Sequence, residues 1–362
     1  MNKNVLIVSL HFNPGHFSHL IANYKLFEEC GYKPFLYVNE SFNKMDTRGE
    51  YSKINNFREI KKLKSIELAI FWFPSFRNIF EIIRLRIHYN STIAYVFHEP
   101  FDSIKNYYNS GFNVIKILKI CLINLINILV IMLSHKIILP SSKALKLFKN
   151  KYYFINKNFK LIPLIFDDEA SNLIKMNDKK YISYIGTIAT DHAFDCYVNF
   201  IVSSIKYGWF PELSFLIATK NIIPRKEKKK LEPYLSSGRI FIAEGNPMTN
   251  EEINGYYNDS LIVWNAYNRS MQSGVLPKAY MFGAAIIGSF QCDNEFIENH
   301  KTGALVEDNK NIIEIKNAIT EILDKKELFF ANCRTKFLEI FYYKNRMNDF
   351  MELTNDKFIN KK

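Results

Sequence analysis

The feature that most limits how this chain can fold is an alternation, run through twice, of short β-branched apolar segments with segments of helical period. A strand buried on both faces has no polar face to show, so continuous apolar runs separated by helices mark a parallel sheet with helices on both sides. In the first half, residues 5–10, 33–38, 67–73, 92–97, 136–139 and 159–162 read as strands. Residues 17–30 and 79–87 and a stretch from Ser142 read as helices between them. The pattern lapses over 165–180, around the polar Phe-Asp-Asp-Glu-Ala-Ser-Asn, and then restarts. Strands are expected at 181–185, 213–217, 239–243, 261–264 and 285–289, and helices at 194–207, 226–234, 250–258, 276–282 and 312–323. A chain of 362 residues is too long for one ordinary core and suits two domains. We place them at 1–165 and 166–344, with a C-terminal helix over 345–362 packing back on the first. The expected fold is α/β, two doubly wound Rossmann-like domains facing across a cleft.

Charge narrows the partners. The net charge is +12, and basic proteins attract nucleic acid, anionic membranes and phosphorylated substrates. No segment joins a basic stripe to the aromatic spacing of a nucleic-acid module, so nucleic acid is not an expected partner. The run Arg225-Lys226-Glu227-Lys228-Lys229-Lys230 reads as a solvated helix start. Five scattered cysteines without Cys-x-x-Cys spacing argue against a disulfide framework or structural zinc and for a reducing compartment. The short apolar run before His11 reads as a buried first strand, so a cytoplasmic location is expected. Residues 114–133 are very apolar but interrupted by Lys116, Lys119, Asn124 and Asn127. A buried or half-buried helix is the favoured reading, ahead of a helix lying on the inner membrane face and well ahead of a membrane span.

The most informative stretch is 269–306, a loop with a Ser273-Gly274 step, a helix, a stop at Gly283 and a buried strand. Backbone N–H groups at such a helix start can hold a phosphate, a weak signal by itself. Lys278-Ala-Tyr-Met-Phe-Gly283-Ala-Ala-Ile-Ile-Gly-Ser resembles the Glu-Ala-Met-Ala-x-Gly-x-Pro-Val-Ile-x-Ser of the family 4 glycosyltransferases. Glu295-Phe-Ile-Glu-Asn-His-Lys-Thr-Gly303-Ala-Leu-Val is similar to that family's Glu-x-Val-x-x-Gly-x-x-Gly-x-Leu-Val. Tyr184-Ile-Gly186-Thr-Ile, His135-Lys-Ile-Ile-Leu-Pro-Ser-Ser142 and the segment 248–257 resemble other stations of the family in the same order. The resemblance implies the GT-B fold and metal-independent, retaining transfer from a nucleotide diphosphate sugar, with no cofactor. It also implies donor contacts at Gly186, Thr187, His192, Arg269, Ser273, Gly274, Val275, Lys278 and Glu295. Two departures stand out. The family's paired glutamates read Ser270 and Lys278 here, and its diphosphate-binding basic pair reads Thr187 and His192. A lysine cannot accept hydrogen bonds from a ribose.

Two further places attract interest. His98, just past a strand, resembles a histidine that the family sets against the donor sugar; the alternative is a histidine satisfied at a strand end. Glu99 would be the base of an inverting enzyme, although a solvated turn carboxylate is the plainer reading. In the loop His11-Phe-Asn-Pro-Gly15-His16-Phe-Ser-His19, Gly15 and His16 are the expected acceptor-side residues. The three histidines lack a matching carboxylate or cysteine, so no metal is expected. No Walker or dinucleotide-binding glycine motif follows a strand, which sets aside nucleotide hydrolysis and NAD chemistry. The expected partners are a nucleotide sugar, a saccharide or lipid-linked acceptor, and an anionic membrane surface. The alternative is a non-catalytic GT-B-like protein that binds sugar nucleotides or glycans.

Overall fold

The computed structural model describes residues 3–46, 49–170, 174, 176–290, 292 and 295–355. The chain divides into two compact units. One comprises Met1–Tyr108, Asn113–Asp167 and Ile340–Lys362; the other comprises Asn109–Phe112 and Asp168–Glu339. The expected helix at 345–362 is described as far as Asn355, and the rest of it lies outside the described residues.

In the first unit the strands are β1 (Asn4–Ser9), β2 (Lys33–Val38), β3 (Lys53–Ile54), β4 (Leu68–Trp72), β5 (Thr92–Val96), β6 (Lys136–Leu139) and β7 (Asn158–Leu161). The helices are α1 (Phe17–Glu29), α2 (Phe57–Ile60), α3 (Phe76–Tyr89), α4 (Ile104–Asn109), α5 (Val114–Leu133) and α6 (Ser142–Lys151). The strands order as β3-β2-β1-β4-β5-β6-β7, every neighbouring pair parallel. The chain winds one way from β1 to β3 and the other way from β4 to β7. Right-handed crossovers therefore put α2, α3, α5 and α6 on one face of the sheet and α1 on the other, and Tyr89 Oη of α3 donates to the Ile60 carbonyl of α2 at 2.8 Å. Leu6, Val8, Phe71, Ile93, Tyr95 and Ile137 are buried in the core on the sheet. That burial is why these strands read as unbroken apolar runs.

In the second unit the strands are β8 (Tyr181–Ile185), β9 (Ser214–Thr219), β10 (Ile240–Glu244), β11 (Ser260–Asn265), β12 (Ala285–Ser289) and β13 (Gly303–Val306). The helices are α7 (Phe194–Lys206), α8 (Arg225–Leu231), α9 (Asn250–Asn258), α10 (Val275–Met281), α11 (Ile312–Asp324) and α12 (Lys326–Lys336); α13 (Met347–Asn355) belongs to the first unit. The order β10-β9-β8-β11-β12-β13 repeats the plan of the first sheet, again wholly parallel. Each sheet thus reverses direction beside its first strand, between β1 and β4 and between β8 and β11. Loops at the carboxyl ends of those strands are where doubly wound sheets bind ligands.

β13 is the tightest join. A Cβ on Gly303 would sit 2.4 Å from the Ile286 carbonyl oxygen and 3.1 Å from Ile297 Cγ2. Gly303 pairs with Ile286 in the ladder, so the oxygen cannot retreat without breaking the sheet. Gly303→Ala is expected to cost about 1–3 kcal/mol in urea unfolding, the usual penalty for overpacking. Gly255→Ala is its control, because nothing lies within 4 Å of that added methyl in α9. There the exchange is expected to be neutral or to stabilise by up to about 1 kcal/mol.

Candidate functional site

In the first unit the loop after β1 is set by Asn13. Its Oδ1 accepts from Gly15 N at 3.2 Å, its carbonyl accepts from His16 N at 3.0 Å, and its Nδ2 lies 3.1 Å from His16 Nε2. His16 is thereby laid flat on Phe73, ring centroids 3.3 Å apart and planes 9° from parallel. Phe73 follows β4 with φ +61, a left-handed conformation that costs a bulky residue about 1–3 kcal/mol. Asn78 Nδ2 donates to its carbonyl at 2.8 Å and helps hold it there. His98, two residues past β5, meets the same phenyl ring at 5.9 Å. Thus His16 and His98 meet at Phe73 at the carboxyl edge of the sheet, with Gly15 next to His16 in the same loop. Sequence reasoning passed over both Phe73 and Asn78. Gly15 itself has room, since a Cβ there would lie 3.7 Å from Asn13 Oδ1.

His98 is half-buried, and burial pushes its imidazole below the ordinary range while the charge of Glu99 pulls the other way. The net direction is downward, so the ring is neutral at pH 7 and can donate through one nitrogen and accept through the other. Glu99 is exposed. His19 is used within the fold: Nδ1 lies 3.1 Å from the Ile165 carbonyl and the ring stacks on Trp72. Among the described residues no three His, Cys, Asp or Glu side chains converge as metal ligands.

In the second unit the loop after β8 turns at Gly186, whose φ of +133 only glycine adopts without strain. The turn faces the start of α10, where a Cβ on Gly186 would stand 3.6 Å from Val275 Cγ2. Beyond it, the Thr187 carbonyl accepts from Tyr184 Oη and from His192 Nδ1, each at 2.8 Å. A carbonyl only accepts, so His192 Nδ1 carries a proton in this contact. The ring stacks on Tyr267, 4.2 Å away and 6° from parallel. Asp191 ties this loop to the one after β11. Its carbonyl accepts from Asn268 N at 2.8 Å and Arg269 N at 3.4 Å, and its carboxylate lies 3.9 Å from Arg269 Nη1. Ser273 Oγ accepts from Val275 N at 3.2 Å, and Gly274 precedes the helix. Gly186, Thr187, His192, Arg269, Ser273, Gly274 and Val275 therefore line one pair of loops at the point where this sheet reverses. Asp191, which holds the two loops together, went unnoticed in the sequence. Asn309, buried after β13, also braces the second loop through the Ala266 carbonyl at 2.9 Å and Asn268 at 2.8 Å. Glu295 is exposed on the segment after β12.

Lys278 stands differently. It is buried on α10, and Nζ bonds to Glu169 Oε2 at 2.9 Å, Asn254 Oδ1 at 2.6 Å and Asn250 Oδ1 at 3.4 Å. Three acceptors match the three hydrogens of an ammonium group. Burial raises the Glu169 carboxyl, but the Lys278 charge and the hydrogen bonds from Asn254, Lys278 and Asn250 outweigh it and hold the group below its ordinary range. Residues 167–169, in the polar stretch where the alternation lapses, all form ion pairs: Asp167 with Lys25 at 2.5 Å, Asp168 with Arg334, and Glu169 with Lys278.

No family model matches this chain, and no curated protein matches it in sequence. Solved structures do. A glycosyltransferase from Rickettsia africae ESF-5 superposes with a TM-score of 0.71 over 99% of this chain and 100% of its own, at 13% identity. HepE of Anabaena, in complex with UDP and glucose, superposes at 0.70 over 97% and 99%, with 10% identity. Sucrose-phosphate synthase from Thermosynechococcus elongatus superposes at 0.69 over 99% of both chains, at 12% identity. At such identities the likeness is one of fold, and the fold is the two-domain α/β arrangement called GT-B.

Proposed function

We propose that the chain is a glycosyltransferase that moves a sugar from a nucleotide diphosphate sugar to a hydroxyl of a saccharide or lipid-linked saccharide in surface polysaccharide assembly. The observation that carries this reading is the paired loop of the second unit. A glycine-only turn at Gly186 faces the start of α10, and Asp191 fixes Arg269 beside it. This suits a diphosphate, which needs close backbone approach and a nearby positive charge. Arg269 supplies the charge, Thr187 and Ser273 supply hydroxyl donors, and the nucleoside takes the space beside the His192–Tyr267 stack. We assign the reaction as metal-independent and retaining, with His98 as a neutral hydrogen-bonding group toward the transferring sugar. Glu295 is assigned to sugar hydroxyls, and Gly15 and His16 to the acceptor. Lys278 acts at one remove, by securing Glu169. HepE, solved with UDP-glucose, supports a uridine nucleotide as the first candidate.

The test is a thermal-shift screen with UDP, GDP, CMP and their sugar conjugates at millimolar concentration. Ligand at about 100 times its Kd adds about 2.7 kcal/mol, which for units of this size is a rise on the order of 5–10 °C. One nucleotide series is expected to give that rise, with slow donor hydrolysis in the same samples. A flat response to all of them would remove the donor site. A shift without hydrolysis or transfer would mean a binding protein on the same fold.

A further inference from the structure

We propose that the outer face of α3 and α5 is a docking surface for an anionic lipid bilayer, on which the first unit lies without crossing it. α5 is half-buried, as one form of the favoured sequence reading has it, with one side on the sheet and the other open. Its mean hydropathy is 2.4, yet 22% of its most apolar window is buried. Ile117, Val130 and Ile131 pack inward, and Asn127 Oδ1 accepts from the buried Tyr95 Oη at 2.6 Å. Asn124 accepts from Tyr152 on the same side. The asparagines that interrupt the run are thus anchors to the sheet, and they keep the helix in the fold and out of a spanning position.

Among the described residues the opposite side has no such partner. Ile115, Leu118, Leu122, Leu125, Leu129 and Met132 recur at alternating steps of three and four and are 47–67% exposed. That spacing draws one straight apolar stripe along a helix. α3 packs beside α5, with Arg86 Nη1 donating to the Leu133 carbonyl at 3.1 Å. It carries a second stripe of the same kind, Phe76, Phe80, Ile83 and Ile87, 40–74% exposed. Two adjacent exposed stripes form a patch of the sort that soluble monomers rarely leave open to water.

Charge identifies the occupant. Between Asp102 and Asp167 the chain has ten lysines and not one Asp or Glu. α6, the third helix of the same layer, exposes Lys146, Lys149 and Lys151. Apolar side chains bordered by cations of one sign suit a bilayer carrying anionic headgroups. The same face on a second copy would meet like charge, because a two-fold contact brings identical patches together. This inference does not depend on the reading of the paired loops as a donor site.

The experiment is sedimentation of the full-length protein with vesicles of phosphatidylglycerol and phosphatidylcholine, against phosphatidylcholine alone, at low and high salt. Binding is expected only to the anionic vesicles, with the partition coefficient at least tenfold lower at high salt. Leu118→Gln/Leu122→Gln is expected to lower partitioning at low salt at least tenfold while Tm stays within about 2 °C, since both side chains are already solvent-exposed. Lys146→Gln/Lys149→Gln/Lys151→Gln should weaken binding and flatten its salt dependence. No partitioning at low salt overturns the proposal, as does undiminished partitioning of the leucine variant. Light scattering that shows a dimer dissociated by the leucine substitutions would assign the face to self-association and overturn it equally.

Discussion

Lys278→Met is expected to destabilise the second unit by about 3–5 kcal/mol, the cost of leaving a buried charge without its partner. The wild-type lysine is 5% exposed and is held by Glu169, Asn250 and Asn254. Methionine fills similar volume but returns none of those bonds, so Glu169 keeps its desolvation and loses the charge that offsets it. The cycle is completed by Glu169→Leu/Lys278→Met, which removes both charges and should recover most of the loss. pH offers an independent reading. In the wild type the Glu169 carboxyl is held below its unfolded value of 4.5. Its contribution to stability is therefore present above that value and lost as pH falls through the lower folded one. In Lys278→Met the burial effect dominates and the folded value rises above the unfolded one, so stability contributed by this group should increase as pH falls through that raised value towards 4.5. A loss under 1 kcal/mol at pH 7, with no change in pH profile, would show that the pair is not a stabilising device.

His98→Ala is expected to lower the proposed sugar transfer by on the order of 10²–10⁴-fold, the range for a positioned side chain that exchanges hydrogen bonds or protons at a reacting centre. The nucleotide-induced rise in Tm should persist, because His98 lies in the first unit and the assigned donor loops in the second. His98→Gln, which stays neutral and can still donate, should retain more activity than alanine. Because burial lowers the folded pKa of His98 from 6.5, the ring stays neutral to more acid pH than a free imidazole would. The acid limb of the transfer rate is accordingly expected below pH 6.5. The group's contribution to stability is likewise full above 6.5 and is lost as pH falls through the folded value. Retention of more than a third of wild-type transfer by the alanine variant would return His98 to a structural role at a strand end.

The alternation of apolar runs carried the architecture because each run was long enough to be buried on both faces. β2, β6, β8 and β12 stand at the bounds read from the sequence, and β1, β4 and β11 lie within one residue of them at each end. β3, with two residues, and β13, with four, are too short to show a period, and α12 has a weakly amphipathic pattern that reads as polar filler. The loops that hold the candidate residues were legible for the same reason, as the gaps at strand ends. Their braces were not. Asp191 acts across 78 residues of sequence on Arg269, and Glu169 across 109 on Lys278. Nothing in a local window distinguishes such a carboxylate from one in a solvated turn. Phe73 is visible as an aromatic at a strand end, but its left-handed conformation is held by a side chain five residues on, Asn78.

The return of the chain to its first unit sets the order in which the molecule can be completed during synthesis. Phe166 N donates to the Phe341 carbonyl at 2.8 Å, and its own carbonyl accepts from Tyr343 N at 3.0 Å. Farther on, α13 sets its carbonyls over Lys136, whose buried Nζ donates to those of Glu352 at 3.0 Å and Leu353 at 2.8 Å, and Phe350 packs on Phe27. The half that leaves the ribosome first must therefore wait until residues 341–353 have been made, while the inserted unit is free to finish before them. A stop codon placed near position 340 would strip the early half of its closing segment and expose a buried lysine. Such a chain is expected to be cleaved faster than the full-length protein in limited proteolysis, even though every residue of the second sheet has been made.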